Sequence, residues 1–292
     1  MIMDIHLPRK LGTSGLFVNA IGFGTWPLST MGRRSEQEGI KLLLAALDAG
    51  INFIDTADSY CIDENEFGYC ERMIAKALKL RKQSTPVIIG TKGGCTRPDG
   101  GWGVNGRPTY LKKACEASLK ALDVDCIDLY QLHAPDRAIP WQETIGALAD
   151  LKKTGKVKHI GLSNVTLSDI QQAQKIVEIV SIQNQCSLFD LSSFSEIIPY
   201  CEKNNLTFFA YRPVGGPENG KHLILEHPVL IKIANECGKT PFQVALAWLL
   251  AKSPVIIPIP GATKISSVLS SAAVIQFVLD PKQLSELESL MK

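Results

Sequence analysis

The chain has 292 residues, 45% of them apolar, and a formal net charge of +2. That length and apolar share suit one α/β barrel with a large core, and the near-neutral balance argues against a nucleic-acid partner. No apolar run reaches the roughly 18 residues of a membrane span, and residues 1–6 lack the basic, apolar and small-residue order of a signal peptide, so a cytoplasmic protein without membrane contact is expected.

Residues 5–19 predict a short β-hairpin turning at Gly12-Thr13-Ser14-Gly15. A first core strand follows over 20–24, where Gly22 and Gly24 permit another backbone to approach closely. Ser35 with Glu38 three residues later forms a capping box, and apolar residues at 40, 43, 44 and 47 make one helical face that Gly50 ends. The strand–helix unit then recurs. Strands are predicted over 52–55, 87–92, 126–133, 157–162, 179–183, 206–211 and 255–259. The helices between them are predicted over 71–80, 109–122, 141–154, 168–177 and near 194–203. A long loop and the helices 228–236 and 241–252 separate the last two strands, and two short helices close the chain.

The strands are short and uniformly apolar, as parallel strands buried on both faces are. Eight alternating units without a linker predict an α/β fold: a single (β/α)₈ TIM barrel with an N-terminal β-hairpin, one domain over 1–292. An open doubly wound sheet ranks second. Gly22-Phe23-Gly24 begins a G-x-G-x-x-G turn, but Trp26 and Pro27 break it.

Function in such a barrel collects at the carboxyl ends of the strands. The second strand ends on Asp55 with Tyr60 in its loop, the third on Lys92 and the fourth on His133. Each alone has an ordinary structural explanation as a loop cap, a rim tyrosine, a solvated strand end or a core histidine. On successive strand ends they form a chemical set. A buried lysine and aspartate need each other. A phenol beside that lysine is expected to have a lowered pKa and to donate a proton to a developing alkoxide. A histidine at the same oxygen can orient a carbonyl and stabilise its charge. No HExxH or other spaced ligand cluster is present, so no metal is expected. The eight cysteines form no CxxC pair and read as free thiols of a reducing compartment. Cys61, next to Tyr60, reads first as an inert neighbour, with oxidation that blocks the site as the alternative.

These motifs resemble the aldo-keto reductases over nearly the whole chain. The resemblance is carried by Gly22-Phe23-Gly24-Thr25-Trp26, Phe53-Ile54-Asp55-Thr56-Ala57 with Tyr60, Gly90-Thr91-Lys92, and Asp128-Leu129-Tyr130-Gln131-Leu132-His133. It continues through Gly155-Lys156-Val157-Lys158-His159-Ile160-Gly161-Leu162-Ser163-Asn164, Gln183-Asn184 and Ala245-Leu246-Ala247-Trp248-Leu249. It implies a barrel reductase that is a monomer or weak homo-oligomer, with Asp55, Tyr60, Lys92 and His133 as catalytic residues and Tyr60 as the acid.

The resemblance also implies a cofactor groove for NADP(H), ahead of NAD(H). Thr25 lies near the nicotinamide ribose, and Asp55 also contacts the cofactor. Ser163, Asn164 and Gln183 bond the carboxamide, and Tyr211 stacks under the ring. An alternative for Ser163-Asn164 is a cap on the next helix, and for Gln183 satisfaction within the barrel. After the seventh strand many relatives carry Tyr-Ser-Pro-Leu, whereas here Tyr211-Arg212-Pro213-Val214 stands, and Arg212 can pair with a pyrophosphate. After the eighth strand, Gly261 borders the groove and Lys264 remains for the 2′-phosphate of NADPH. Ser267 and Ser271 replace the usual Arg or Gln and the Asn that holds adenine.

Trp26 walls the substrate pocket by the same resemblance, together with Tyr60 and His133. The long glycine-rich loop over 93–108 carries Trp102 and can close over the carbonyl. Short elements elsewhere imply a pocket for a small-molecule carbonyl substrate. Ser163-Asn164-Val165-Thr166 and residues 243–250 are also similar to bacterial pyridoxal reductases. The expected activity is reduction of small aldehydes or ketones by NADPH. The alternatives are an NAD(P)-dependent alcohol or sugar dehydrogenase, a pyridoxal reductase, and a redox-sensing or channel-associated module with little turnover.

Overall fold

The computed structural model describes residues 8–83, 85–216 and 220–289. The predicted hairpin is present as β1 (Arg9–Lys10) and β2 (Phe17–Val18), paired antiparallel. Its first three expected residues, 5–7, lie outside the described residues, as do 217–219 of the predicted long loop.

Eight parallel strands follow, each with a helix after it: β3 (Phe23–Gly24), α1 (Glu36–Asp48), β4 (Phe53–Asp55), α2 (Tyr69–Leu80), β5 (Ile88–Gly93). Next come two short strands, β6 (Cys95–Thr96) and β7 (Gly103–Val104), then α3 (Pro108–Leu122), β8 (Ile127–Leu132), α4 (Trp141–Lys153), β9 (Val157–Ser163) and α5 (Leu167–Ala173). The chain continues through β10 (Ser181–Gln185), α6 (Ile197–Lys203), β11 (Thr207–Tyr211), α7 (Lys221–Glu226), α8 (Pro228–Cys237), α9 (Pro241–Lys252), β12 (Ile256–Pro258), α10 (Ile265–Ala272) and α11 (Pro281–Glu288).

The eight strands run in the order β3, β4, β5, β8, β9, β10, β11, β12, each parallel to its neighbour. The sheet closes on itself where Gly22 N donates to Pro258 O at 3.0 Å and Gly24 N to Pro260 O at 3.2 Å. Closure depends on missing side chains. A Cβ on Gly24 would sit 2.8 Å from Ile259 O, and one on Gly261 2.5 Å from the Pro27 ring and 2.8 Å from Gly24 O. This is the (β/α)₈ barrel expected from the alternation of strand and helix.

Inside the barrel, Phe53 and Phe209 stack at 4.4 Å, joined by Ile88, Leu129 and Ile257. Leu11 and Val18 of the hairpin belong to the same cluster, so the hairpin plugs the end away from the strand C-termini. A larger apolar layer lies between the strands and the helices. Above Phe53, the period of two along a strand turns Asp55, Lys92 and Gln131 inward. The core therefore changes from apolar to polar at the carboxyl ends.

Several details depart from expectation. The capping box at Ser35 and Glu38 forms, but the buried face of α1 is Gly39, Leu42, Leu43, Ala46 and Leu47. Leu44 and Ile40 are only half-buried, while Gly39 on the buried face leaves room for Met73 of α2. The predicted long loop contains α7, whose Ile224 is buried. The glycine-rich loop expected over 93–108 carries the small β6–β7 hairpin. No helix among the described residues is long and apolar enough to cross a membrane.

Candidate active site

The four predicted strand-end residues meet at one end of the barrel. Lys92, on β5, is fully buried and Asp55, at the end of β4, is 2% exposed. Lys92 Nζ donates to Asp55 Oδ2 at 2.7 Å, to Thr56 O at 2.8 Å and to Tyr60 Oη at 3.2 Å. A buried ion pair of this kind is held in place by its neighbours, and removing one partner costs about 3–5 kcal/mol. Asp55 Oδ1 accepts from Gln183 Nε2 at 2.8 Å and from Gln131 Nε2 at 3.4 Å. The carboxylate is thereby fixed on both oxygens. Gly161 leaves the space that Gln131 fills, since a Cβ there would meet the Gln131 side chain at 2.9 Å.

His133 follows β8 directly, anchored by its N–H to Gly93 O at 2.9 Å. Its ring is 8% exposed and packs edge-on against Tyr60, with centroids 5.6 Å apart. Ser59 Oγ lies 3.3 Å from His133 Nδ1. Burial, and then the Lys92 charge, push the imidazole well below its ordinary pKa. It is neutral at physiological pH, and one ring nitrogen carries a hydrogen to donate.

Tyr60 corrects the expectation of a lowered pKa. Its phenol is pushed well above the ordinary value, first by burial and then by the Asp55 charge. The lysine does not prevail, because its charge is already taken up by Asp55. Burial also pushes Lys92 down, opposed by Asp55. Tyr60 is accordingly a protonated donor, with an ammonium touching its oxygen.

Burial raises the Cys61 thiol to about 11, so it stays protonated at neutral pH. All eight cysteines are free. Among the described residues no group of three metal-ligating side chains converges.

The residues expected to line a cofactor groove lie around the same opening. Thr25 is buried, with N and Oγ1 both donating to Asp55 O. Asn164 has a left-handed backbone, φ 59°, and ties three neighbours together. Its Nδ2 donates to His133 O at 2.9 Å and to Ser163 Oγ at 3.2 Å, and its Oδ1 accepts from Tyr211 Oη at 2.8 Å. The alternative of a helix cap at Ser163-Asn164 is not what forms, because Thr166 caps α5 through its own capping box. Gln183 takes the alternative weighed for it, bonding within the barrel to Asp55. Arg212, at φ 49°, and Lys264, at the start of α10, are exposed and make no ion pair among the described residues. Gly261 lies against Pro27 and Gly24, beside the half-buried Trp26.

Trp102 is 53% exposed yet reaches the site, its ring edge-on to His133 at 6.0 Å. Three contributors were not singled out from sequence. Gln131 shares the inward parity of His133, two residues on, and counting by two would have found it. Ser59 adjoins Tyr60 but carries no distinguishing pattern. Arg97, whose guanidinium stacks 4.1 Å above the Trp102 ring, depends on a hairpin too short to predict.

The family profile "Aldo/keto reductase family" matches residues 20–292. A "Probable aldo-keto reductase 1" from Glycine max is 33% identical over 96% of this chain and 87% of its own length. Among solved structures, an aldo/keto reductase from Klebsiella pneumoniae in complex with NADP and acetate superposes with a TM-score of 0.83 at 27% identity, covering 97% of this chain and 95% of that one. An aldo-keto reductase from Bacillus halodurans in its holo form superposes at 0.80 with 29% identity, over 97% and 95% of the two chains. The chain belongs to the aldo/keto reductase family.

Proposed function

We propose that this protein reduces small aldehydes or ketones to alcohols with NADPH, and that Tyr60 is the proton donor. The observation that carries the reading is the Tyr60 Oη to Lys92 Nζ contact of 3.2 Å, backed by Asp55 and placed beside a neutral His133. A substrate carbonyl oxygen set between the phenol and the imidazole receives two hydrogen bonds, which strengthen as charge moves onto it. The Tyr60 proton passes to that oxygen, and the ammonium of Lys92 balances the phenolate left behind. Asp55 keeps Lys92 charged and aimed at the phenol.

The groove residues fit a nicotinamide cofactor. Ser163 offers a hydroxyl suited to a carboxamide, and Asn164, whose Nδ2 is engaged with His133 O and Ser163 Oγ, offers the second lone pair of its Oδ1. Tyr211, held by Asn164, presents a flat ring. Exposed Arg212 and Lys264 supply positive charge for phosphates. NADPH, when bound, supplies the hydride. Support also comes from the Klebsiella pneumoniae relatives solved with NADP and with NADPH. Gln183 holds Asp55 through Nε2, which leaves its Oε1 to accept from a carboxamide N–H.

The test is to follow nicotinamide absorbance with the purified protein, NADPH or NADH, and a panel of aldehydes that includes pyridoxal and sugars. Oxidation of NADPH by several small aldehydes, faster than with NADH, is the expected result. Faster turnover of alcohols with NAD would favour the dehydrogenase. Tight cofactor binding without oxidation across the panel would contradict the reading and favour a binding module.

A further inference from the structure

We infer that Arg97 is a positioning residue that holds Trp102 in place as a wall of the substrate pocket, and so sets which carbonyl compounds reach Tyr60 and His133. This rests on the reductase reading above. Both residues belong to the β6–β7 hairpin, whose pairing of Thr96 with Gly103 brings its ends together. Left alone, a half-exposed indole in such a loop would sample several rotamers, since fixing a side chain costs entropy. Two contacts restrain it here. Its edge-on contact with His133 lies on the catalytic side, with an interplanar angle of 76°. The Arg97 guanidinium covers its ring at 4.1 Å.

The guanidinium is itself anchored, since Nη2 donates to Ile62 O at 3.0 Å, two residues beyond Tyr60. The chain from the tyrosine loop through Arg97 and Trp102 to His133 is therefore continuous. Arg97 Nε and Nη1 are buried and have no hydrogen-bond partner among the described residues. A guanidinium withdrawn from water attracts an aromatic face more strongly than a solvated one does. Their burial so strengthens the grip on the indole.

What lies on the other side gives the clamp a consequence. A cavity of about 460 Å³ is bordered by Met31, Ile62, Asp63, Asn65 and Arg97, and Trp102 does not line it. Arg97 borders that cavity and stacks on the indole, so its side chain stands between the covered ring face and this space. Without it, Trp102 can swing outward and the pocket widens. The chemistry at Tyr60 is not touched by this change; the size limit on the substrate is.

The test uses Arg97→Met, Trp102→Leu and the double variant, each assayed with NADPH on propanal and on a fused-ring aromatic aldehyde. Arg97→Met should raise the bulky-to-small ratio of kcat/KM roughly tenfold, with the change in KM rather than kcat. Trp102→Leu should raise it at least as much. The double variant should match Trp102→Leu within about twofold, because Arg97 acts through the indole. Multiplying effects in the double variant, an unchanged ratio, or parallel losses on both substrates would overturn the role of Arg97 while leaving the reductase reading intact. An unaltered enzyme that oxidises NADPH with no aldehyde at all would remove that reading and this inference with it.

Discussion

Glu71 is fully buried between α2 and β5, with Thr91 Oγ1 donating to it at 2.6 Å and its second oxygen without a partner among the described residues. Burial raises its pKa from 4.5 to about 6. The folded chain thus holds this proton more tightly than the unfolded one. Its contribution to stability is complete below the ordinary value and is lost as pH rises through about 6. Glu71→Gln should match the unaltered protein at about pH 4 and exceed it by about 2 kcal/mol at about pH 8, measured by urea unfolding. Equal stability at both pH values would contradict the burial argument. The candidate site makes a pH prediction of its own. His133 is already neutral and Tyr60 still protonated across the neutral range. Steady-state kcat for reduction should therefore stay level between about pH 6 and about pH 8, and a steep limb there would show that another group controls the step. At this scale the residue types and their order were legible in the sequence, because Asp55, Lys92 and His133 each end an apolar strand. The direction of the Tyr60 shift was not, since it depends on how deeply the phenol is buried and on Asp55 claiming the lysine's charge. Nor was the bond from Gln183 to Asp55 chosen over its alternative, because a glutamine amide can be satisfied on either side of the groove.

The elements of the barrel were legible where pattern and length agree. Parallel strands buried on both faces leave uniform apolar runs, and Ser35 followed three residues later by Glu38 marks a helix start. Elements with little pattern escaped notice. The strands of β6 and β7 are two residues each, too short for any alternation. α7 has six residues, less than two full turns, inside a stretch rich in glycine and proline. Closure of the sheet, by contrast, is a matter of glycines meeting across the seam. Gly261→Ala would drive a methyl group into the Pro27 ring and the Gly24 carbonyl, neither of which can move aside. The expected cost is about 1–3 kcal/mol, read as a lower Tm by calorimetry. An unchanged Tm would mean the seam between β3 and β12 is looser than these contacts imply.

At the scale of the whole molecule, the barrel brings together side chains far apart in the chain. Gln183 and Asp55 are separated by 128 positions, yet they share a hydrogen bond at one mouth. The apolar half of the interior, from Leu11 to Phe209, gives that mouth a rigid floor. The polar layer above it can then hold a buried ion pair against a tyrosine. The solved relatives keep the same fold at 27% and 29% identity, with TM-scores of 0.83 and 0.80. The central claim is that Tyr60 gives its proton to the reduced carbonyl. The most direct measurement is turnover of Tyr60→Phe with NADPH and a small aldehyde, beside cofactor affinity followed by fluorescence. The account predicts a loss of about 10²–10⁴-fold in kcat with NADPH affinity nearly retained. Turnover within about twofold of the unaltered enzyme would contradict it.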